Sequence, residues 1–162
     1  MFDAAYWIQK LGLLPHPEGG FYKESYRSKE SIILENNKVR SHATAIYFLM
    51  EANNFSAFHR IMSDELWHFY AGDPLEVLYI DHKGHLRRIL LGQNPVNGEQ
   101  LQAVVPANTW FGSRPSNLSN YSLVGCTVSP GFDFQDFEMA KRAHLIQEFP
   151  EHTKIIEELT RE

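Results

Sequence analysis

The alternation of apolar and polar positions divides the chain into a long run of short strands with helical segments at both ends. Near the N-terminus, Ala4, Ala5, Trp7, Ile8 and Leu11 recur at helical spacing behind Asp3, a capping residue, and Gly12 stops the helix. Residues 13–28, LLPHPEGGFYKESYRS, follow. Pro15 and Pro17 stiffen this stretch, Gly19 and Gly20 permit a turn, and Phe21 to Arg27 alternates as a strand. Residues 28–42 are polar around an apolar patch at 32–34 and predict a loose hairpin. ATAIYFLM at 43–50 is a buried-strand run. Leu75 to Ile80 and Leu86 to Leu91 flank the turn DHKG, Leu101 to Val105 stops at Pro106, and Tyr121 to Val128 ends before Pro130 and Gly131. Trp110 and Phe111 fall in ANTWFGSRP and are expected to be exposed or pocket-facing. Phe132 to Phe137 is an aromatic, acidic connector. Glu138 to Glu148 and Glu151 to Leu159 predict two closing helices. Short strands at roughly 8–12-residue spacing, with helices only at the ends, predict an all-β sandwich or barrel.

One stretch, residues 58–74, gathers most of the candidate chemistry: FHRIMSDELWHFYAGDP. It is expected to form a strand, a tight turn at Ser63 and Asp64, and a second, aromatic strand. Side chains alternate faces along a strand, so His59 shares a face with Ile61, and Glu65 shares one with Trp67 and Phe69. An imidazole and a carboxylate would then face each other across a hairpin. Burying such a pair is costly unless each group is partnered. The same parity sends His68 to the opposite face.

Composition narrows the function classes. The 162 residues fit one domain spanning 1–162, with a hydrophobic fraction of 43% and a charged fraction of 22%. A net charge of −5 and the lack of any basic run longer than Arg87-Arg88 argue against nucleic acid and anionic membrane as partners. Cys126 is the lone cysteine, which fits a reducing compartment and a buried, inert thiol. The first residues are too polar for a signal peptide, and no long apolar run spans a bilayer, so a cytoplasmic location is expected. Glu18, Asp133, Asp136 and Glu138 are assigned to loop and capping chemistry, with Asp136 as N-cap of the helix that starts near Glu138.

The spacing H-x-I-x-x-x-E-x-x-x-x-x-x-G from His59 to Gly72 resembles the first motif of the cupin superfamily. There, two histidines and a glutamate bind a metal. Ile61 replaces the second histidine. Residues 106–111, PANTWF, take the place of the second motif, with Asn108 for its glycine and Phe111 for its histidine. LLPHPEGGFYKESYRS, SDELWHFYAGDPLEV and VGCTVSPGFDFQDFE extend the likeness to a small cupin-like subfamily of unknown function, related in fold to sugar-nucleotide 3,5-epimerases. The resemblance implies a cupin double-stranded β-helix, that is, a jelly-roll barrel, with short flanking α-helices at both termini. It also implies a pocket inside the barrel and a homodimer.

With two of four ligand positions lost, a divalent metal is disfavoured, and His59 and Glu65 would be its residual ligands; no cofactor is expected. Three functions remain open. One is an epimerase- or isomerase-like enzyme acting on a carbonyl compound such as a sugar derivative. In it His59 abstracts a proton, Glu65 orients the imidazole, and Tyr70 or Tyr121 returns the proton. A metal-dependent cupin enzyme is the second. The third is a non-catalytic module holding a small ligand among Trp67, His68, Tyr70, Trp110 and Phe111. Against each residue stands a plainer reading: a satisfied core histidine at position 59, an outward His68, and packed aromatics.

Overall fold

The computed structural model describes residues 2–116 and 120–161. Helix α1 (Ala4–Leu11) starts where the Asp3 carboxylate accepts the Tyr6 amide and ends at Gly12 in the left-handed region. Among the described residues, thirteen strands follow: β1 (Leu14–Pro15), β2 (Phe21–Arg27), β3 (Ser31–Ile33), β4 (Val39–Ser41), β5 (Thr44–Glu51), β6 (Ser56–Arg60), β7 (Asp64–Gly72), β8 (Leu75–Ile80), β9 (Leu86–Leu91), β10 (Gln102–Val105), β11 (Trp110–Pro115), β12 (Tyr121–Ser129) and β13 (Glu138–Met139). Helices α2 (Arg142–Glu148) and α3 (Thr153–Glu158) close the chain. The segment from Glu138 is therefore not helical from its start. Its first two residues pair with β6, and the helix begins only at Arg142.

Two antiparallel sheets face each other, in the orders β1-β2-β5-β12-β7-β10 and β13-β6-β11-β8-β9, while β3 and β4 form a separate hairpin. This corrects the hairpin expected at residues 58–70. The chain turns a corner after Arg60, so β6 and β7 lie in opposite sheets and are not hydrogen-bonded to each other. His59 and Glu65 consequently approach from facing walls. Along β7 the alternation holds: Glu65, Trp67 and Phe69 are buried, while Asp64, Leu66 and Tyr70 are exposed.

The space between the sheets is filled at one end. Phe48, Met50, Trp67, Phe69, Leu75, Val77, Leu91 and Phe111 pack there among other apolar side chains. Outside the five-stranded sheet, Phe58, Leu78 and Trp110 lie beneath α2 and α3 through Leu145, Ile156 and Leu159. Outside the six-stranded sheet, α1 covers Leu49, Tyr121 and Leu123. Each terminal helix thus hides a sheet face that would otherwise be a wet apolar surface. Among the described residues no helix is long and apolar enough to cross a membrane.

Candidate functional site

The other end of the barrel interior is hollow. A cavity of about 530 Å³ opens there, within the range that holds a small organic molecule. Strands β2, β5, β6, β7 and β12 supply much of its lining, with Leu14 and Ile61, and two connecting segments supply the rest.

The first segment is His16 to Gly20. Gly19 and Gly20 adopt φ of 117° and 74°, and a side chain on Gly19 would collide with the Phe55 carbonyl oxygen. This turn carries Glu18 inward. The Glu18 carbonyl accepts the Ala57 amide at 2.8 Å, which fixes the segment to β6. The second segment, 132–137, brings Phe132, Phe134 and Phe137 over the cavity. Asp133 caps its single helical turn by accepting the Gln135 amide. Asp136 is not a helix cap; it binds the buried Arg40 guanidinium at 2.7 Å and Lys38 Nζ at 2.9 Å, which pins the segment to β4 and the turn before it. Glu138 pairs with Arg60 at 2.7 Å on the surface.

His59 stands at the centre of the polar end. Its side chain is only 4% exposed. Its Nδ1 lies 2.7 Å from the Ala57 carbonyl oxygen and its Nε2 lies 2.9 Å from Glu18 Oε2. A carbonyl only accepts, so Nδ1 carries a hydrogen. One further proton lies between Nε2 and the carboxylate. Burial works to lower the His59 pKa, but the charge and hydrogen bond of Glu18, the Ala57 carbonyl and the nearby Glu65 outweigh it, and the net shift is upward. For Glu18, burial works to raise the pKa, and His59 with lesser help from His16 brings it below the usual value. Both shifts describe one ion pair, imidazolium and carboxylate.

Among the described residues, Glu65, on the facing wall, forms no ion pair of its own. Burial first, and then the charge of Glu18, raise its pKa to about 7, against the pull of His59 and Cys126. Cys126 lines the cavity beside it, and burial pushes its thiol well above the usual range, so the thiol stays protonated.

Of the residues proposed from sequence, His59 and Glu65 line the cavity together. The partner that the imidazole actually binds is Glu18, which sequence reasoning had placed among the loop residues. Trp67, Trp110 and Phe111 do not line the cavity. Trp67 and Phe111 are packed in the filled end of the barrel, with Phe111 backing His59 at a ring separation of 4.1 Å. Trp110 faces outward under the C-terminal helices, with the Arg60 guanidinium 4.4 Å from its ring. His68 lies on the outer face, bonded to Thr127 Oγ1 at 3.1 Å and Gln102 at 3.1 Å. Tyr70 is half exposed on the same face, beside Tyr47. Tyr121 is held under α1, donating to the Phe2 carbonyl and accepting from Trp7. Neither tyrosine reaches the site. Strand parity, which put Trp67 inside and His68 outside, does not distinguish the hollow end of a barrel from its filled end.

The metal set implied by the cupin motif does not fit these residues. Ile61 and Phe111 offer only carbon at two ligand positions, and both nitrogens of His59 are already engaged. Among the described residues no group of three or more His, Cys, Asp or Glu is arranged to hold a metal ion.

Comparison with known proteins agrees with this architecture. The uncharacterized protein YML079W of Saccharomyces cerevisiae is 27% identical over 148 residues, covering 83% of this chain and 73% of its own. A hypothetical protein from Leishmania major superposes with a TM-score of 0.93 at 39% identity, over 99% of this chain and 100% of that one. Protein SO0799 from Shewanella oneidensis superposes with a TM-score of 0.92 at 39% identity, over 99% of both chains. Oxalate decarboxylase of Bacillus subtilis shares the fold alone, with a TM-score of 0.58 at 12% identity over 90% of this chain and 36% of the enzyme. The jelly-roll barrel, its flanking helices and a match over residues 5–140 to the family described as Cupin superfamily (DUF985) make this chain a member of that family.

Proposed function

We propose that the protein is a small-molecule isomerase that shifts a proton on carbon next to a carbonyl group. The observation that carries this reading is the set of proton-holding groups at the closed end of the cavity: the Glu18–His59 pair at 2.9 Å and, facing it, Glu65 with its pKa raised to about 7. A group that is half ionised near neutral pH is suited to both taking and giving a proton. Ionised Glu65 takes the proton, the C–H electron pair becomes a carbon–carbon double bond as the carbonyl π pair moves onto oxygen, and the proton returns to carbon at the new position as the oxygen pair re-forms the carbonyl. His59, already bonded on both nitrogens, stays the cation beside the developing negative charge rather than the base. This exchanges the roles that the motif spacing suggested.

In deuterated water, a panel of enolisable aldoses, ketoses and aryl ketones should include a compound that gains deuterium beside its carbonyl, measured by mass spectrometry. Glu65→Gln is expected to slow that exchange by about 10²–10⁴-fold. If panel compounds bind without exchanging, the cavity is a binding site and the isomerase reading fails.

A homodimer goes with this reading. The outer face of the six-stranded sheet exposes Leu66, Tyr70 and Val104, on β7 and β10, an apolar strip suited to a second copy. Light scattering at micromolar concentration should give a dimer mass, and Tyr70→Glu with Val104→Glu should give a monomer. A monomer mass for the unmodified chain sinks this part of the proposal.

A further inference from the structure

His16 is a titratable cavity residue with no part in that proton transfer. Its side chain is 6% exposed and lines the cavity. Its Nδ1 accepts the Glu18 amide at 3.2 Å, so a lone pair resides there and the neutral ring carries its hydrogen on Nε2. Nε2 makes no hydrogen bond to the protein among the described residues. The ring cannot turn freely: Tyr22 meets it edge-on at 4.4 Å, Phe134 stacks at 6.0 Å and Phe137 meets it edge-on at 5.9 Å. Burial lowers its pKa, against the charge of Glu18, which favours the neutral donor form.

Several other polar groups of the cavity are engaged, while Lys23 and Tyr22, which carries a hydroxyl, also belong to its lining. His59 uses both nitrogens, Arg27 is held by Glu24 and the Phe132 carbonyl, and Thr44 Oγ1 accepts the Phe132 amide. The remaining wall includes Tyr22, Ile46, Ile61, Val128, Phe132 and Phe137. A polyhydroxylated ring would leave the hydroxyls that face this apolar part of the wall unpaired. A carboxylate in the depth would meet Glu18 and Glu65.

We propose that His16 Nε2–H is the donor that selects the ligand, binding the carbonyl oxygen of an uncharged aryl or conjugated ketone whose flat body lies against the phenylalanine wall. This rests on the reading of the cavity as the ligand site, and not on the proton transfer assigned to Glu65. In catalysis the same donor would hold the oxygen as negative charge builds on it.

The probes are acetophenone, ethylbenzene, which has a similar shape without the oxygen, and benzoate. Each is titrated into the full chain and followed by ligand-observed NMR. Acetophenone should bind about three- to tenfold more tightly than ethylbenzene, the worth of one hydrogen bond, and benzoate more weakly than acetophenone. His16→Phe keeps an aromatic ring and should abolish the preference for acetophenone; His16→Gln keeps a donor and should restore part of it. Circular dichroism checks that both variants fold. Equal affinity of wild type for acetophenone and ethylbenzene overturns the proposal, as does a preference unchanged in His16→Phe. Deuterium exchange into aldoses with no binding of acetophenone also overturns it, leaving the role of Glu65 intact. Acetophenone binding that depends on His16, without exchange into any ketone, upholds it and removes the isomerase reading instead.

Discussion

Replacing His59 with leucine is expected to cost about 3–5 kcal/mol of stability near pH 8, measured by urea denaturation, because it strands a buried carboxylate. Leucine fits the apolar contacts that the imidazole makes with Phe111 and Phe137. What it removes is the cation 2.9 Å from Glu18 Oε2, in a place where the Glu18 side chain is 9% exposed. With that cation gone, two buried carboxyl groups line one cavity with no cation between them, and Glu65 already feels the charge of Glu18. Glu18 would then take up a proton to stay buried, so the deficit should shrink as the pH falls towards about 5. Glu18→Gln should be far milder. Its amide can donate to Nε2 of a neutral His59, which keeps Nδ1 on the Ala57 carbonyl. Adding Glu18→Gln to His59→Leu should recover most of the loss, because no charge is then left unpaired. A His59→Leu deficit below about 1 kcal/mol, or one that does not change with pH, would show that the pair is solvated and weak.

The pairing that this prediction tests was only half legible in the sequence. His59 and Glu65 were visible because strand alternation and motif spacing are local signals, carried by residues close together in the chain. Glu18 was not, because its place depends on a turn at Gly19 and Gly20 and on one amide bond to Ala57, a contact between distant parts of the chain. Pro15 and Pro17 stiffen PHPEGG and Gly19 and Gly20 allow its turn, but no local signal says which way Glu18 points. The strands were found nearly everywhere that apolar runs were long, as at β5 and β12. They were missed at β11, where Gly112, Ser113 and Arg114 interrupt the run although Trp110 and Phe111 are buried. The helix expected from Glu138 failed for a related reason: edge pairing to β6 is a tertiary gain that helical spacing cannot register. The aromatic wall was misplaced because the sequence shows which residues face inward, not which end of the barrel stays empty.

Glu65 gives the second large effect, and its sign is opposite to that of most carboxylates. In the unfolded chain it titrates near 4.5, and in the folded chain at about 7. A raised carboxyl pKa means that the native state binds the proton more tightly than the unfolded state. Below about pH 4.5 the group is protonated in both states and costs nothing. Between the two values the unfolded chain has lost its proton while the native state keeps it, so stability falls as the pH rises. Above about pH 7 the group is ionised in both states, and the full cost of burying the charge remains, about 3 kcal/mol for a shift of this size. Glu18 and His59 act differently. The lowered Glu18 pKa adds stability above its unfolded value that is lost in acid, and the raised His59 pKa adds stability that is lost only as the pH climbs past its folded value. Glu65→Gln isolates one contribution from the others, since the amide is nearly isosteric and cannot ionise. The variant should match wild type near pH 4 and exceed it by about 3 kcal/mol near pH 8, in denaturation curves recorded across that range. The same substitution should slow deuterium exchange, so stability would rise as activity falls. Parallel wild-type and variant stability curves would show that Glu65 titrates normally in the fold, and would take from it the proton-transfer role.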